Sequence, residues 1–194
     1  TIYSQINLIG REHTLQILSE RLQRLYRAAK QHRFKRDDGT SLAKFVNLDM
    51  EEYRDLHLTV DLFRRTLEDP EFFDLQAGIV LQSYLPDSFE LQEKLTEWAL
   101  RRVEAGGAPI KIRIVKGANL AMEQVDAALH SWPQAPYPSK LQTDANFKRM
   151  VIYGCHPHNA KAVKLGIGSH NLFDIAYALL LRSENHVEKD VCFE

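Results

Sequence analysis

The sequence predicts an α/β fold, a (β/α)8 TIM barrel of which this chain carries about five to six strands. Three observations lead there. Strand-like stretches alternate with amphipathic helical ones, and strands begin near residues 44, 77 and 110, a constant interval of 33 residues that matches a βα unit. The units share no sequence similarity, so the repetition is architectural. No hairpin turn is read between them, which implies parallel strands joined by right-handed crossovers. Finally, the strands carry polar residues on one parity near their C-terminal ends: Asp49, Gln82, Arg113, His170 and Glu194. Strands covered on both faces in an open doubly wound sheet read instead as continuous apolar runs. In a barrel the same residues ring the mouth, where barrel enzymes place their chemistry.

A chain of 194 residues, 44% hydrophobic and 26% charged, has the profile of a globular protein, and a single domain over residues 1–194 is the expectation. The net charge of −1 provides no broad basic field for nucleic acid. The basic cluster from Lys30 to Arg36 reads as a solvated loop. Cys155 and Cys192 stand in no metal or redox spacing and fit a reducing compartment, so a cytoplasmic location is expected. No apolar run of about 18 residues is present to span a bilayer, and peripheral membrane contact stays open. The start at Thr1 and the strand-like ending VCFE suggest a piece of a longer chain.

Each element has a local reason. TIYSQINLIG is strand-like, as if the chain enters at the end of a strand. A helix comes next, with Leu15, Leu18, Leu22, Leu25 and Ala29 at spacings of three and four. HRFKRDDGTS is a loop with Asp38-Gly39 as its turn. In KFVNLDM, Phe45, Asn47 and Asp49 share one face and Val46, Leu48 and Met50 the other. The next helix carries Tyr53, Leu56, Val60, Phe63 and Leu67 and ends before Asp69-Pro70. AGIVLQSYL is a strand with Val80, Gln82 and Tyr84 on one face, and its helix, with Leu91, Leu95, Trp98 and Val103, stops at Gly106-Gly107.

The central stretch is IKIRIVKGANL, residues 110–120. Ile110, Ile112 and Ile114 alternate with Lys111, Arg113 and Val115, so a strand sends isoleucines one way and cations the other. Lys116-Gly117-Ala118 is a small-residue turn where backbone can approach a bound anion or cofactor. An ordinary buried strand with polar residues near solvent fits the same residues. A helix through Leu129 leads to SWPQAPYPSK, whose three prolines make either a rigid spacer or a loop that folds over a ligand. A helix from about Thr143 to Tyr153 precedes CHPHNAKAVK, where proline splits the histidines and no fourth ligand is at hand for zinc. KLGIGSHN, residues 164–171, is a strand ending in a polar triplet, residues 172–182 form an apolar helix, and residues 190–194 open the last strand. Five polar tips are costly to desolvate unless they serve one another or a ligand, although Asp49 with Arg113 would also make a structural pair.

FVNLDMEEYRD, GIVLQSYLPD, IKIRIVKGANLAM, WPQAPYPSK and SHNLFD together closely resemble the proline dehydrogenase barrel, in wording nearest to bacterial bifunctional proline utilisation A proteins. The resemblance covers essentially the whole chain. It implies FAD as cofactor, oxidation of L-proline to Δ1-pyrroline-5-carboxylate, and electrons passed to a membrane quinone. Carried onto this chain, it places Arg113 beside the flavin N5, with Val115, Lys116, Gly117 and Ala118 lining the cofactor and Gln82 contacting the flavin. Ser139 and Lys140 would reach the distal end of FAD, and Ser169, His170 and Asn171 match a cofactor-binding triplet. Asp49 matches an active-site aspartate with Glu51 nearby, and Glu194 stands where a glutamine to FAD is frequent. Asn119 departs from the aromatic residue of some members. A strand lysine expected before Thr1 and an arginine pair expected after Glu194 would complete the substrate site, so the piece alone is expected to be inactive. The residues read alone also allow a phosphate- or nucleotide-binding α/β module without redox chemistry, or internal polar links with no ligand.

Overall fold

The computed structural model describes residues 9–194; the strand end expected within TIYSQINLIG falls, up to its eighth residue, outside the described residues. The chain runs through helix α1 (Arg11–Gln31), strands β1 (Arg33–Lys35), β2 (Ser41–Ala43) and β3 (Asn47–Leu48), then α2 (Leu56–Leu67), β4 (Gly78–Gln82), α3 (Asp87–Glu104) and β5 (Ile110–Val115). It continues through α4 (Leu120–His130), α5 (Lys140–Gly154), α6 (Pro157–Ala160), β6 (Val163–Ile167), α7 (Leu172–Glu184) and β7 (Val191–Phe193). Strands β3 to β7 form one parallel sheet of five in chain order. Sequential order with no reversal is how a barrel winds, whereas a doubly wound sheet reverses at a switch point. Among the described residues the sheet is open, with β3 and β7 at its edges.

Register sorts the side chains into two faces, because directly paired residues in parallel strands point the same way. One face stacks Leu48, Ile79, Ile112, Leu165 and Val191 at one level and Leu81, Ile114, Ile167 and Phe193 at the next. Ile110, Ile112 and Ile114 are fully buried there, against α5 and its neighbours. Burying such a side chain contributes about 1.5–3 kcal/mol relative to exposure, so the isoleucine face takes the helix layer. The opposite face carries Asn47, Gly78, Lys111 and Lys164 at one level and Val80, Arg113, Gly166 and Cys192 at the next. This is the inner face of the barrel.

Two local readings are corrected. The segment after α1 is no plain loop, since β1 and β2 pair antiparallel as a hairpin in which Phe34 faces Leu42. Its turn is closed by Gly39 at φ +80° and by Asp38, whose carboxylate accepts from the Thr40 amide at 2.8 Å. The alternation in RFK and SLA is too short to stand out from a charged loop. On α1, Leu25 is exposed and Tyr26 fully buried in its place, where its ring packs edge-on to Phe72. The helical stripe is wide enough to accept either neighbour, and the position of Phe72 decides.

At the end of the sheet away from the mouth, Arg102 of α3 is buried and, among the described residues, makes no direct salt bridge. Its guanidinium donates to the carbonyls of Leu67, Phe72, Phe73 and Ala108 and lies over the Trp98 and Phe73 rings. It thus satisfies the chain ends that lead into β4 and β5. Gly106, at φ +90°, terminates α3 as a left-handed C′ residue.

Candidate functional site

The mouth is built from the strand tips and the turns that leave them. Arg113 stands on β5 with Val115 above it, both half-buried on the inner face. Glu194, just past β7, reaches across β6: one carboxylate oxygen bonds Lys111 and the other lies 3.0 Å from Arg113 Nε. Arg113 Nε is thus ion-paired, although among the described residues its N–H makes no well-aligned hydrogen bond. The structural Asp49–Arg113 pair that the residues also allowed is not made; Asp49 instead accepts from Asn47 at 3.2 Å. Chain order puts Asp49 two strands from Arg113 and Glu194 two strands away on the other side, and the shorter reach lies across a glycine.

That strand crossing depends on β6. A Cβ on Gly166 would sit 2.8 Å from Glu194 Oε1, and one on Gly168 would sit 2.9 Å from Val115 Cγ1 and 3.6 Å from Arg113 Nε. Both glycines lie on the inner parity of KLGIGSHN, where a missing side chain marks close approach. The strand itself ends at Ile167, so Ser169, His170 and Asn171 stand beyond its tip rather than on it. Asn171 caps α7, accepting from the Phe173 and Asp174 amides, and Ser169 accepts from the Asn171 amide at 3.1 Å. His170 is exposed.

Gln82 closes β4 and is buried. Its amide donates to the Met50 carbonyl, while Oε1 is buried and has no hydrogen-bond partner among the described residues. An orphaned buried acceptor is costly, and together with the Arg113 guanidinium on the neighbouring strand it supplies an acceptor and a donor on the same face. Those features fit a flat heterocycle with ring N–H and carbonyl groups, such as the flavin of FAD. Tyr84 lies under the turn after β5: Gly117, at φ +127°, would put a Cβ 2.5 Å from the Tyr84 ring. Burial pushes the Tyr84 phenol up to about 12, with Glu123 adding to the effect.

Lys116, which the resemblance places along the cofactor, turns its side chain away from the inner face. Its ammonium points into the helix layer, 2.5 Å from Asp144 Oδ1 of α5 and 2.6 Å from Asp174 Oδ2 of α7. Burial opposes the charge on Lys116, and the two hydrogen-bonded carboxylates outweigh it, so the pKa is raised. Burial likewise works against Asp144, yet its bonds to Lys116 and Lys140 hold it below the ordinary carboxylate value. Ser139 caps α5, accepting from the Gln142 amide, and Lys140 pairs with Asp144. Ala118 precedes Asn119, which donates to the Glu51 carbonyl at 2.8 Å, and Glu123 accepts from the Tyr53 amide at 2.7 Å. Helix α4 is thereby pinned to the loop after β3. It and residues 132–135 border an open groove of about 930 Å³ facing Glu52, Tyr53 and Arg54.

Sequence reasoning alone does not single out the inner-face glycines, Gly166 and Gly168, or the carboxylates Asp144 and Asp174. Alternation of glycine with Leu165 and Ile167 is a usable signal for the first pair; no local pattern marks the second. No helix among the described residues is long and apolar enough to cross a membrane.

A family model described as proline dehydrogenase matches residues 3–194. Among solved structures, proline utilization A from Corynebacterium freiburgense aligns with TM-score 0.89 and 49% identity over 98% of this chain and 19% of that chain. Proline utilization A from Bdellovibrio bacteriovorus, inactivated by N-propargylglycine, aligns with TM-score 0.85 and 34% identity over 98% of this chain and 18% of that one. A Bradyrhizobium japonicum proline utilization A mutant at 21% identity shares the fold with TM-score 0.80, covering 98% of this chain and 18% of that one. The chain thus spans about a fifth of the length of these proteins. No match is found among curated proteins.

Proposed function

The chain belongs to the proline dehydrogenase family, and on that premise we propose that this domain oxidises L-proline to Δ1-pyrroline-5-carboxylate with FAD as resident cofactor and a quinone as final acceptor. Two electrons and two protons leave proline as its C–N bond becomes C=N. FAD, when bound, supplies the acceptor of the electron pair. The observation that carries the proposal is that the Arg113 guanidinium and Gln82 Oε1, which has no hydrogen-bond partner among the described residues, stand on the same face of neighbouring strands.

Each residue's part derives from its position. Gly166 makes room for the Glu194 carboxylate and Lys111, and Gly168 for Val115, which sets the side chains around Arg113 at the mouth. Gln82 Oε1 accepts a ring N–H, which relieves its desolvation penalty. Arg113 holds a positive charge where negative charge accumulates in a site of low dielectric, and such preorganised charge is worth several kcal/mol of barrier, roughly 3 by analogy with oxyanion-hole donors. Val115, Gly117 and Ala118 line the approach along the β5 tip, with Lys116 bracing that turn. Ser139, Lys140, Ser169, His170 and Asn171 bring capped helix starts and cations towards the phosphate-bearing end. Asp49 and Glu194 edge the mouth from opposite sides.

The test uses the full-length protein. It should purify with flavin absorbance, lose that absorbance when proline is added without oxygen, and be inactivated by N-propargylglycine as the Bdellovibrio protein is. A protein that takes up no FAD, or whose bound flavin is not bleached by proline, would overturn the reading.

A further inference from the structure

We propose that Asp144 and Asp174 are positioning residues for the cofactor cradle, acting through Lys116 as a three-way ionic clamp that holds the turns after β5 and β6 at a fixed separation. The proposal rests on the FAD reading above and extends it to two residues on the helix side of the sheet.

Lys116 is the first residue beyond the last paired position of β5, and its carbonyl accepts from the Tyr84 amide at 2.8 Å. Its side chain leaves the sheet on the helix side, crosses the Phe147 ring 5.5 Å from the centroid, and ends between two carboxylates from different helices. Asp174, in the first turn of α7, is only 4% exposed and also lies 3.4 Å from Ser169 Oγ. Asp144 also holds Lys140 at the start of α5. One network therefore joins the 116–118 turn, the 169–171 turn and the first residues of α5. These are neighbouring loop tips at one end of the sheet: the Gly168 amide donates to the Ile114 carbonyl at 2.9 Å, so the β6 chain runs alongside β5 into the mouth.

Two carboxylates and two lysines leave the network neutral. Lys116 is consequently no spare cation for a phosphate, and its contribution is geometric. Removing one partner from a buried, hydrogen-bonded charge group leaves the others uncompensated, which costs more than the pair is worth.

This assigns a sign that simple electrostatics contradicts. Neutralising a carboxylate near an anionic cofactor should tighten binding if charge alone matters. If the carboxylates position the turns, neutralisation weakens it. The experiment measures FAD affinity of the apo form of the full-length protein by flavin fluorescence for wild type, Asp174→Asn, Asp144→Asn, Lys116→Met and the double variant Lys116→Met/Asp174→Asn, with Glu90→Gln, a surface carboxylate paired to Lys94, as reference. We expect Asp174→Asn to raise Kd about tenfold, the scale of one lost charged hydrogen bond, and Asp144→Asn somewhat less. The double variant should bind no worse than Lys116→Met, since the three act as a unit, and Lys116→Arg should restore most of the affinity. Should Asp174→Asn not fold, Asp144→Asn and its cycle with Lys116→Met provide the same readings. Unchanged or tighter binding, or additive losses in the double variant, would overturn the clamp while leaving the FAD reading intact. A wild-type protein that binds no FAD would overturn both.

Discussion

Glu194 lies 3.0 Å from the Arg113 Nε across an intervening strand, and the contact exists because the residue between them is Gly166. That glycine pairs with Arg113 on one side and Cys192 on the other, and a side chain there would fill the space that Glu194 and Lys111 now share. Among the described residues Arg113 Nε makes this ion pair without a well-aligned hydrogen bond, so the guanidinium is held but not saturated. A held and unsaturated cation is the form in which charge is useful to a ligand.

Replacing Arg113 with Met should therefore damage chemistry far more than folding. The expected loss in kcat/KM for proline is about 100-fold or more. The side chain is one-third exposed, so its ion pair adds under about 1 kcal/mol to stability. Steady-state kinetics and thermal unfolding of the full-length protein check both halves.

Gly117→Ala should both destabilise and misplace the β5 turn. At φ +127° a Cβ is strained, and it would stand 2.5 Å from the Tyr84 ring, which is itself buried and unable to retreat. Strain and overpacking together should cost about 2 kcal/mol or more. Chemical denaturation would read it, with weakened FAD binding as the functional sign.

Arg102→Met should be the most destabilising single change on α3, because it strands the carbonyls of Leu67, Phe72, Phe73 and Ala108. Loss of about 3 kcal/mol or more is expected, since each buried carbonyl left unsatisfied costs about 1–3 kcal/mol. Arg102→Lys should not rescue it, since an ammonium cannot spread over the same set of acceptors. Urea unfolding gives the number, and FAD affinity of the folded fraction should be unaltered.

Alkaline pH should weaken the fold through its buried acids, Cys155 and Tyr84 among them. Burial pushes the Cys155 thiol up to about 11, partly offset by Arg182, and the Tyr84 phenol up to about 12. Both hold their protons more tightly folded than unfolded, so the folded state binds more protons once pH passes about 9 for the thiol and about 10 for the phenol. Stability from these groups is complete below that range and falls as pH rises through it. Denaturation midpoints between pH 8 and 11 test this, and Cys155 should resist alkylation until the protein unfolds.

Much of the fold is legible in local pattern because the forces involved are local. The alternation in IKIRIV puts the three isoleucines of β5 on one face, and burial against the helices bears that out residue by residue. The polar ends of successive strands, the regular βα interval and the glycine stop of α3 likewise come from side-chain period and backbone freedom, which depend on near neighbours only. Where two neighbours fit equally, as Leu25 and Tyr26 do, pattern is silent. The hairpin after α1 is hidden because its strands are three residues each.

Near-neighbour chemistry is thus enough for the repeat of strand and helix, for the face each strand turns inward and, through the motifs, for the family. The partners of the charges are settled only in the folded chain. Lys116 is claimed by Asp144 and Asp174, and Arg113 by Glu194 rather than Asp49. An ion pair is chosen by distance in space, and that distance is set by strand order, by register and by the absent side chain of Gly166. None of these is encoded in the residues adjacent to either charge, because Coulomb attraction falls with separation in space and takes no account of separation along the chain.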